Sequence, residues 1–157
     1  MARVCLVGSE DCNLRYELLS RETAREALAT YDIREPFANA LAVETVSLGA
    51  AVALCNDLNW YLVRFTDAAM VLEPSVSETE WLSRSLATAM RDDAVDEDER
   101  DRFLKVYGVE SPEDDDAEPR LVEPMLVTRT GDSIPEYDLR AVDETVVVRV
   151  SRDEFGA

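Results

Sequence analysis

The polar segment 56–61, which reads Asn-Asp-Leu-Asn-Trp-Tyr, offers the best set of side chains for chemistry in this chain. We expect it to join a helix to a strand, where short polar groups can converge on a ligand beside an aromatic ring. Asp57 would then serve as a base or cation ligand, while Asn56 and Asn59 would orient a substrate next to Trp60. An ordinary turn explains the same residues, because Asn and Asp bond to their own backbone and tryptophan anchors a core.

A second candidate is the pair Arg21 and Arg25, which would lie one turn apart on a helix and could grip a phosphate or a carboxylate. Glu22 and Glu26 interleave with them along the chain. The four residues therefore also fit an ordinary solvated helix face with mixed charges, and we favour that interpretation.

Several kinds of chemistry are excluded by residue types that the chain lacks. It contains no histidine, which excludes Ser-His-Asp and Cys-His nucleophiles, His-ligated zinc and imidazole acid–base steps. Lys105 is the only lysine, so a Schiff-base mechanism would have to use it, and we expect it on an exposed acidic helix. No phosphate-loop pattern occurs. The three cysteines are odd in number and lack the spacing of a disulfide framework, so we expect free thiols. We therefore predict no catalytic residue, no metal and no cofactor.

The charge composition points to the solvent in which the protein works. Fifteen of the sixteen basic residues are arginine, and 34 acidic residues leave a net charge of −18. Repulsion among these charges would push a compact fold apart in dilute buffer, whereas molar salt shortens the screening length to about 3 Å. Arginine keeps forked pairing with carboxylates available, while lysine offers a point charge on an apolar stem. The composition therefore predicts a cytoplasmic protein of a salt-accumulating cell.

Half of the net charge lies in a short stretch. Between Arg91 and Pro119, thirteen acids face four bases, and residues 110–119 read as an acidic surface loop. The run 113–116 lacks the spaced ligands of a calcium loop, so we expect it to attract counterions without forming a specific cation site.

Hydrophobic periodicity predicts the elements that must position these side chains. Strands are predicted at 3–7, 41–46, 60–65, 70–72, 121–128 and 145–150, with 60–65 and 70–72 forming a hairpin. Helices are predicted at 21–31, 48–55, 77–91 and 96–107, whereas 14–19 fits neither period.

The predicted elements combine into one α+β domain spanning 1–157. We expect a mixed, mostly antiparallel sheet of about five or six strands with helices packed on it. Pro124 places its strand at a sheet edge, and the near-continuous valines of 145–150 indicate burial on both faces.

Four stretches resemble, as a set, a small family of unknown function from salt-loving archaea. They read YELLSRETAREALATY at 16–31, NDLNWYLVRF at 56–65, SETEWLS at 77–83 and LVEP at 121–124. The resemblance covers most of the chain but not the acidic loop. It implies no activity and no functional residues, and it agrees with the interpretation of the charge.

Three functions follow from these observations. The first is a non-catalytic cytosolic accessory or protein-interaction domain of a halophile, because no catalytic motif is present. The second is a small-molecule-binding domain or a carboxylate-based enzyme centred on Asp57, with Glu17 as a further carboxylate. The third is a nucleic-acid accessory factor, since helices 77–91 and 96–107 followed by two strands imitate a winged helix; their acidic surface argues against it.

No apolar run is long enough for a secretory signal or a membrane span.

Overall fold

A computed structural model of the chain describes residues 1–113 and 117–156. The strands are β1 (Ala2–Gly8), β2 (Ala40–Thr45), β3 (Thr66–Leu72), β4 (Trp81–Ser83), β5 (Phe103–Glu110), β6 (Arg120–Thr128) and β7 (Glu144–Arg149). The helices are α1 (Leu14–Leu19), α2 (Glu22–Leu28), α3 (Leu48–Asp57), α4 (Asn59–Phe65), α5 (Arg84–Arg91) and α6 (Arg152–Phe155), and a 3₁₀ turn spans Glu97–Glu99.

The strands form a single open sheet in the order β2-β1-β3-β4-β7-β5-β6. The β4–β7 pair is parallel, and the other described pairs are antiparallel. The expectation of a mixed, mostly antiparallel sheet with helices is confirmed, but the number of strands is seven rather than five or six. The difference arises because β4 and β5 lie in segments that carry helical capping signals and were predicted as helices, while one of the six predicted strands, 60–65, is a helix.

One face of the sheet is covered by helices. Alternation along β1 directs Val4 and Leu6 to this face, where they join the buried side chains of α1 to α5. Leu82 of β4 and Leu86 of α5 are both 1% exposed or less and extend the same core. Burial of this apolar surface supplies the main stabilisation of the helical layer.

The opposite face is concave and carries a second core. Cys5, Met70 and Val148 are buried there, and Phe155 of α6 packs on Phe103 with ring centroids 5.0 Å apart. The sheet curls so far that its two edges meet at one corner, where Ala38 N–H donates to the Pro119 carbonyl at 2.8 Å. Among the described residues no ladder joins β2 to β6, so the sheet stays open.

The prediction of a strand at 60–65 is wrong, because this segment forms α4. Leu54, Leu58 and Leu62 recur every four residues and are at most 4% exposed. That spacing buries one stripe of a helix against the core and outweighs the alternation of large residues from Trp60 onwards. The predicted hairpin with 70–72 is also wrong, since β3 begins at Thr66 and pairs with β1.

The predicted helix 77–91 is confirmed in its second part, Arg84–Arg91, whereas the predicted helix 96–107 is wrong. Ser77 does accept a hydrogen bond from Glu80 N–H at 3.0 Å, but a turn follows, and the helix begins only after Ser83. In the second segment only a 3₁₀ turn forms, and Phe103 starts a strand that pairs with both β6 and β7. Long-range strand partners therefore override local capping signals. The two-helix arrangement that suggested a winged helix is absent from these segments.

The structure also decides a segment that the sequence left open between helix and strand, and it tests the predicted places of the last two strands. Residues 14–19, which fitted neither period, form α1 because the Asn13 side chain accepts from Tyr16 N–H at 3.1 Å and caps it. β6 lies at a sheet edge, as Pro124 indicates. β7 lies between two other strands, but Val148 is its only fully buried residue, so the expected burial on both faces is not observed. Within the predicted acidic loop, residues 114–116 lie outside the described residues, and the proposed counterion run falls mostly on them.

Candidate functional site

The residues of the segment 56–61 lie at a junction between two helices instead of a helix-to-strand turn. Asp57 is the last residue of α3 and is exposed, and it does not line the large cleft described below. Asn56 is also exposed, and its Oδ1 accepts from the Arg84 guanidinium at 3.1 Å. Asn59 begins α4 and faces solvent. A site centred on Asp57 therefore stays a prediction that no described cavity supports.

The structure brings together two predicted residues that are far apart in sequence, Arg21 and Trp60. The Arg21 guanidinium carbon lies 5.7 Å from the centroid of the Trp60 ring, and that of Arg64 lies 3.9 Å away. The Arg21 side chain also lies 5.2 Å from the Phe65 ring and pairs with Glu17 at 2.9 Å. These distances are within the range of cation–π contacts.

Trp60 and Val63 leave an apolar area uncovered beside these arginines. Trp60 is 48% exposed and Val63 is 70% exposed, and they lie three residues apart on the outer face of α4. Arg64 shares that face, and its Nη1 donates to the Trp60 carbonyl at 2.9 Å. We call Arg21, Trp60, Val63 and Arg64 the Trp60 patch. Arg25 is exposed on α2 and is not among the cations that contact Trp60.

A second feature of the surface is a cleft of about 770 Å³ on the concave side of the sheet. Its floor is formed by Lys105 and Tyr107 of β5, and Asp67 of β3 lies at its side. A smaller cavity of about 220 Å³ adjoins it and shares these three residues. We call the larger one the concave cleft.

The two walls of the concave cleft come from opposite edges of the sheet. One wall contains Gly8 and Asn39, and the other is the start of β6, from Arg120 to Pro124. An ion pair of 3.4 Å between Arg120 and Glu10 crosses the rim. The cleft exists because the curled sheet brings β6 back toward β1 and β2.

The Asn39 wall is held by several hydrogen bonds. Asn39 adopts a left-handed backbone conformation with φ of 54°, and its Nδ2 donates to the carbonyls of Ser9 and Cys12 at 2.9 and 3.0 Å. Its Oδ1 accepts from Leu14 N–H at 2.8 Å. A Cβ atom at Gly8 would lie only 2.5 Å from Asn39 Nδ2, so glycine is required for this close approach.

Lys105 was expected on an exposed acidic helix, and this expectation is wrong. It lies in the middle of β5, half-buried, opposite Val148 of β7 and Leu126 of β6. Its Nζ is 5.4 Å from the centroid of the Tyr107 ring. Sequence reasoning missed the cleft, although the alternation of Phe103, Lys105 and Tyr107 with Leu104 and Val106 was the available signal.

The thiols are held in unreactive environments. Burial raises the pKa of the Cys5 thiol to about 12 and that of Cys55 to about 11. Desolvation also raises the pKa of the half-buried Cys12, against the effect of its hydrogen bond to the Ser9 carbonyl. None of the three is therefore suited to act as a nucleophile near neutral pH.

Two further observations concern metals and membranes. In residues 1–113 and 117–156, no three side chains of His, Cys, Asp or Glu are grouped so that they could hold a metal ion. Every helix within those ranges is too short or too polar to cross a lipid bilayer.

Comparison with known proteins places the chain in a family. The model of a family of unknown function, DUF5804, matches residues 2–109, from the start of β1 to the last but one residue of β5. β7, which lies between β4 and β5 in the sheet, and the β6 wall of the concave cleft are outside the matched segment. No curated protein and no solved structure matches the chain. Since the match covers more than half of its length, this chain belongs to the family of unknown function DUF5804.

Proposed function

We propose that this protein is a non-catalytic protein-interaction domain and that the Trp60 patch binds an acidic, partly apolar segment of its partner. The observation that carries the proposal is the exposure of Trp60 and Val63 on one helix face, with Arg21 and Arg64 stacked beside the indole. Tryptophan and arginine are the residue types that most often dominate binding energy at protein interfaces.

The charge of the Trp60 patch defines the chemistry of the partner. The whole chain carries a net charge of −18, yet two guanidinium groups border this apolar surface. A partner that binds here gains from carboxylates placed next to its apolar side chains, because these pair with the guanidinium groups. Cations at the same positions would be repelled. Arg21 already pairs with Glu17, so Arg64 is the better placed cation for such a contact.

The second part of the proposal concerns the environment, which we propose to be the salt-rich cytoplasm of a halophile. Its support is the excess of acids over bases and the near-complete use of arginine as the base. The eleven ion pairs among the described residues all use an arginine, and most of them are exposed. Each exposed ion pair contributes little to folding stability. Many such pairs together keep the surface charged and hydrated in concentrated salt.

Site-specific crosslinking tests the interaction directly. A photoreactive amino acid would replace Val63 in one variant and Val46 in a matched control, since Val46 is 82% exposed and directly follows β2. Both variants would be irradiated in extract kept in molar KCl. We expect one discrete adduct from position 63 and none from position 46, with the crosslinked partner peptide carrying acidic residues beside apolar ones.

A further substitution makes the result decisive. Arg64→Glu should abolish the adduct formed from position 63 while leaving the circular dichroism spectrum unchanged, because Arg64 is exposed. Equal labelling from positions 63 and 46, or an adduct whose peptide is basic, would contradict the proposal.

A further inference from the structure

The concave cleft contains an unusual cation. Lys105 is the only lysine of a chain with 34 acidic residues, and it is half-buried on the concave face. Within the described residues no carboxylate lies within 4.0 Å of its Nζ, whereas eleven pairs of this kind involve arginines. Ordering and partly desolvating a lysine without a partner costs free energy. A ligand that supplies an anionic group would offset this cost at Lys105.

The other charges of the concave cleft exclude a purely anionic ligand. Arg120 and Glu10 are paired with each other at the rim, so the other charged residues that line the cleft are Lys105, Asp67 and Glu123. A simple anion would be repelled by these carboxylates, and a simple cation would be repelled by Lys105. A ligand that carries both signs meets complementary charges.

The remaining surface defines the size and the body of that ligand. The cleft volume of about 770 Å³ falls in the range typical of small-molecule sites. Tyr107, which is 8% exposed, and Leu121 present apolar surface between the charged groups. The Asn39 wall is fixed by hydrogen bonds, so this side of the site is formed before a ligand arrives.

We propose that the concave cleft binds a small zwitterion with an apolar body, such as a free amino acid with an apolar side chain. Its carboxylate pairs with Lys105, its ammonium lies toward Asp67 and Glu123, and its side chain packs on Tyr107 and Leu121. No residue of the Trp60 patch lines the concave cleft, and only Val63 lines the smaller cavity that adjoins it, so either proposal can fail without the other.

The single lysine gives a direct readout. Reductive ¹³C-methylation labels Lys105 and the N-terminus, retains both positive charges and yields one side-chain NMR signal for the cleft. The probes are L-phenylalanine, its amide, which lacks the anion, and its N-acetyl derivative, which lacks the cation. We expect L-phenylalanine to shift the Lys105 signal in a saturable way at molar KCl and each derivative to bind at least about tenfold more weakly, as for the loss of one charged hydrogen bond.

Variants test the assigned roles by calorimetry on unmethylated protein. Lys105→Met should abolish binding, Lys105→Arg should retain it, and Asp67→Asn should weaken it about tenfold. Asp32→Asn is the matched control, because Asp32 is highly exposed outside the cleft, and it should bind as the parent does. Crosslinking from position 63 should be unaffected by Lys105→Met.

Specific outcomes would overturn the proposal. They are the absence of any Lys105 shift with L-phenylalanine, equal binding of the amide or the N-acetyl derivative, and unchanged binding by Lys105→Met. The comparison of the three probes needs only the parent protein, so the test remains decisive if a variant fails to fold.

Discussion

Arg149 donates a hydrogen bond from Nε to Oε1 of Glu80 at 2.8 Å, across the short parallel pair of β4 and β7. Arg129, which follows β6, pairs with the same carboxylate, and all three side chains are at most 16% exposed. Only two residue pairs are in register between β4 and β7, and that ladder joins β2-β1-β3-β4 to β7-β5-β6. The Glu80 carboxylate therefore ties the two parts of the sheet together.

Loss of the Glu80 charge should weaken this connection. We expect Glu80→Gln to lower the free energy of unfolding by about 2 kcal/mol, because two largely buried guanidinium groups lose their anionic partner. Urea unfolding in molar KCl measures the change. Glu44→Gln is the control, since Glu44 pairs with Arg3 at an exposed position and its substitution should leave the unfolding midpoint unchanged. Equal effects of the two substitutions would contradict this role of Glu80.

The same carboxylate predicts a dependence of stability on pH. Partial burial raises the pKa of Glu80, but the hydrogen bonds and charges of Arg149 and Arg129 outweigh it, and the net pKa lies below 4.5. A carboxyl whose pKa is lowered by folding stabilises the protein above its unfolded pKa, and the contribution is lost as pH falls through the folded value. The stability gap between the parent and Glu80→Gln should therefore be full at pH 6 and shrink below about pH 4.5. Thermal unfolding across that range measures it, and a gap independent of pH would count against the ion pairs.

Salt should control the compactness of the chain. With a net charge of −18, we expect secondary structure and tertiary packing to be lost as KCl falls from molar to millimolar concentration. Circular dichroism across a KCl titration measures this, and recovery on returning KCl separates unfolding from aggregation. A signal that stays flat down to dilute buffer would show that the acidic surface is not an adaptation to salt.

The three thiols should react in a defined order. Cys12 is half-buried, whereas Cys5 and Cys55 are at most 1% exposed and burial raises their pKa values to about 12 and 11. In molar KCl we expect a thiol reagent to modify Cys12 slowly and the other two only after denaturation. Cys12→Ser should remove the native-state reaction entirely. Rapid modification of two thiols in the folded protein would show that one of the cores opens.

The strands and helices that sequence predicted well are those with a single consistent signal. β1 is a short apolar run, β2 alternates as a strand should, and the α3 helix has both an apolar stripe and the Ser47 cap. Where two local patterns predicted different secondary structures, the structure that buried more apolar surface formed. The segment 60–65 alternates like a strand, but the stripe of Leu54, Leu58 and Leu62 buries it as a helix.

For the candidate sites, sequence alone identified Arg21 and Trp60 as separate possibilities, and the fold brought them within 5.7 Å. The sequence also singled out Lys105 but placed that residue on a helix, whereas it lies in the strand β5. The concave cleft could not be predicted, because its walls lie more than a hundred residues apart, at Gly8 and at Arg120, and meet only when the sheet curls.

Composition by itself determined the charge of this protein and its lack of imidazole chemistry. The order of its residues determined the mixed helix-and-strand character, because that depends on short-range periodicity. Tertiary structure alone decided which face of β5 holds Lys105, which strand lies between β4 and β5, and which helix exposes Trp60. The physical reason is that strand pairing and burial are satisfied by residues distant in sequence, whose contributions exceed the local preferences of segments three to ten residues long.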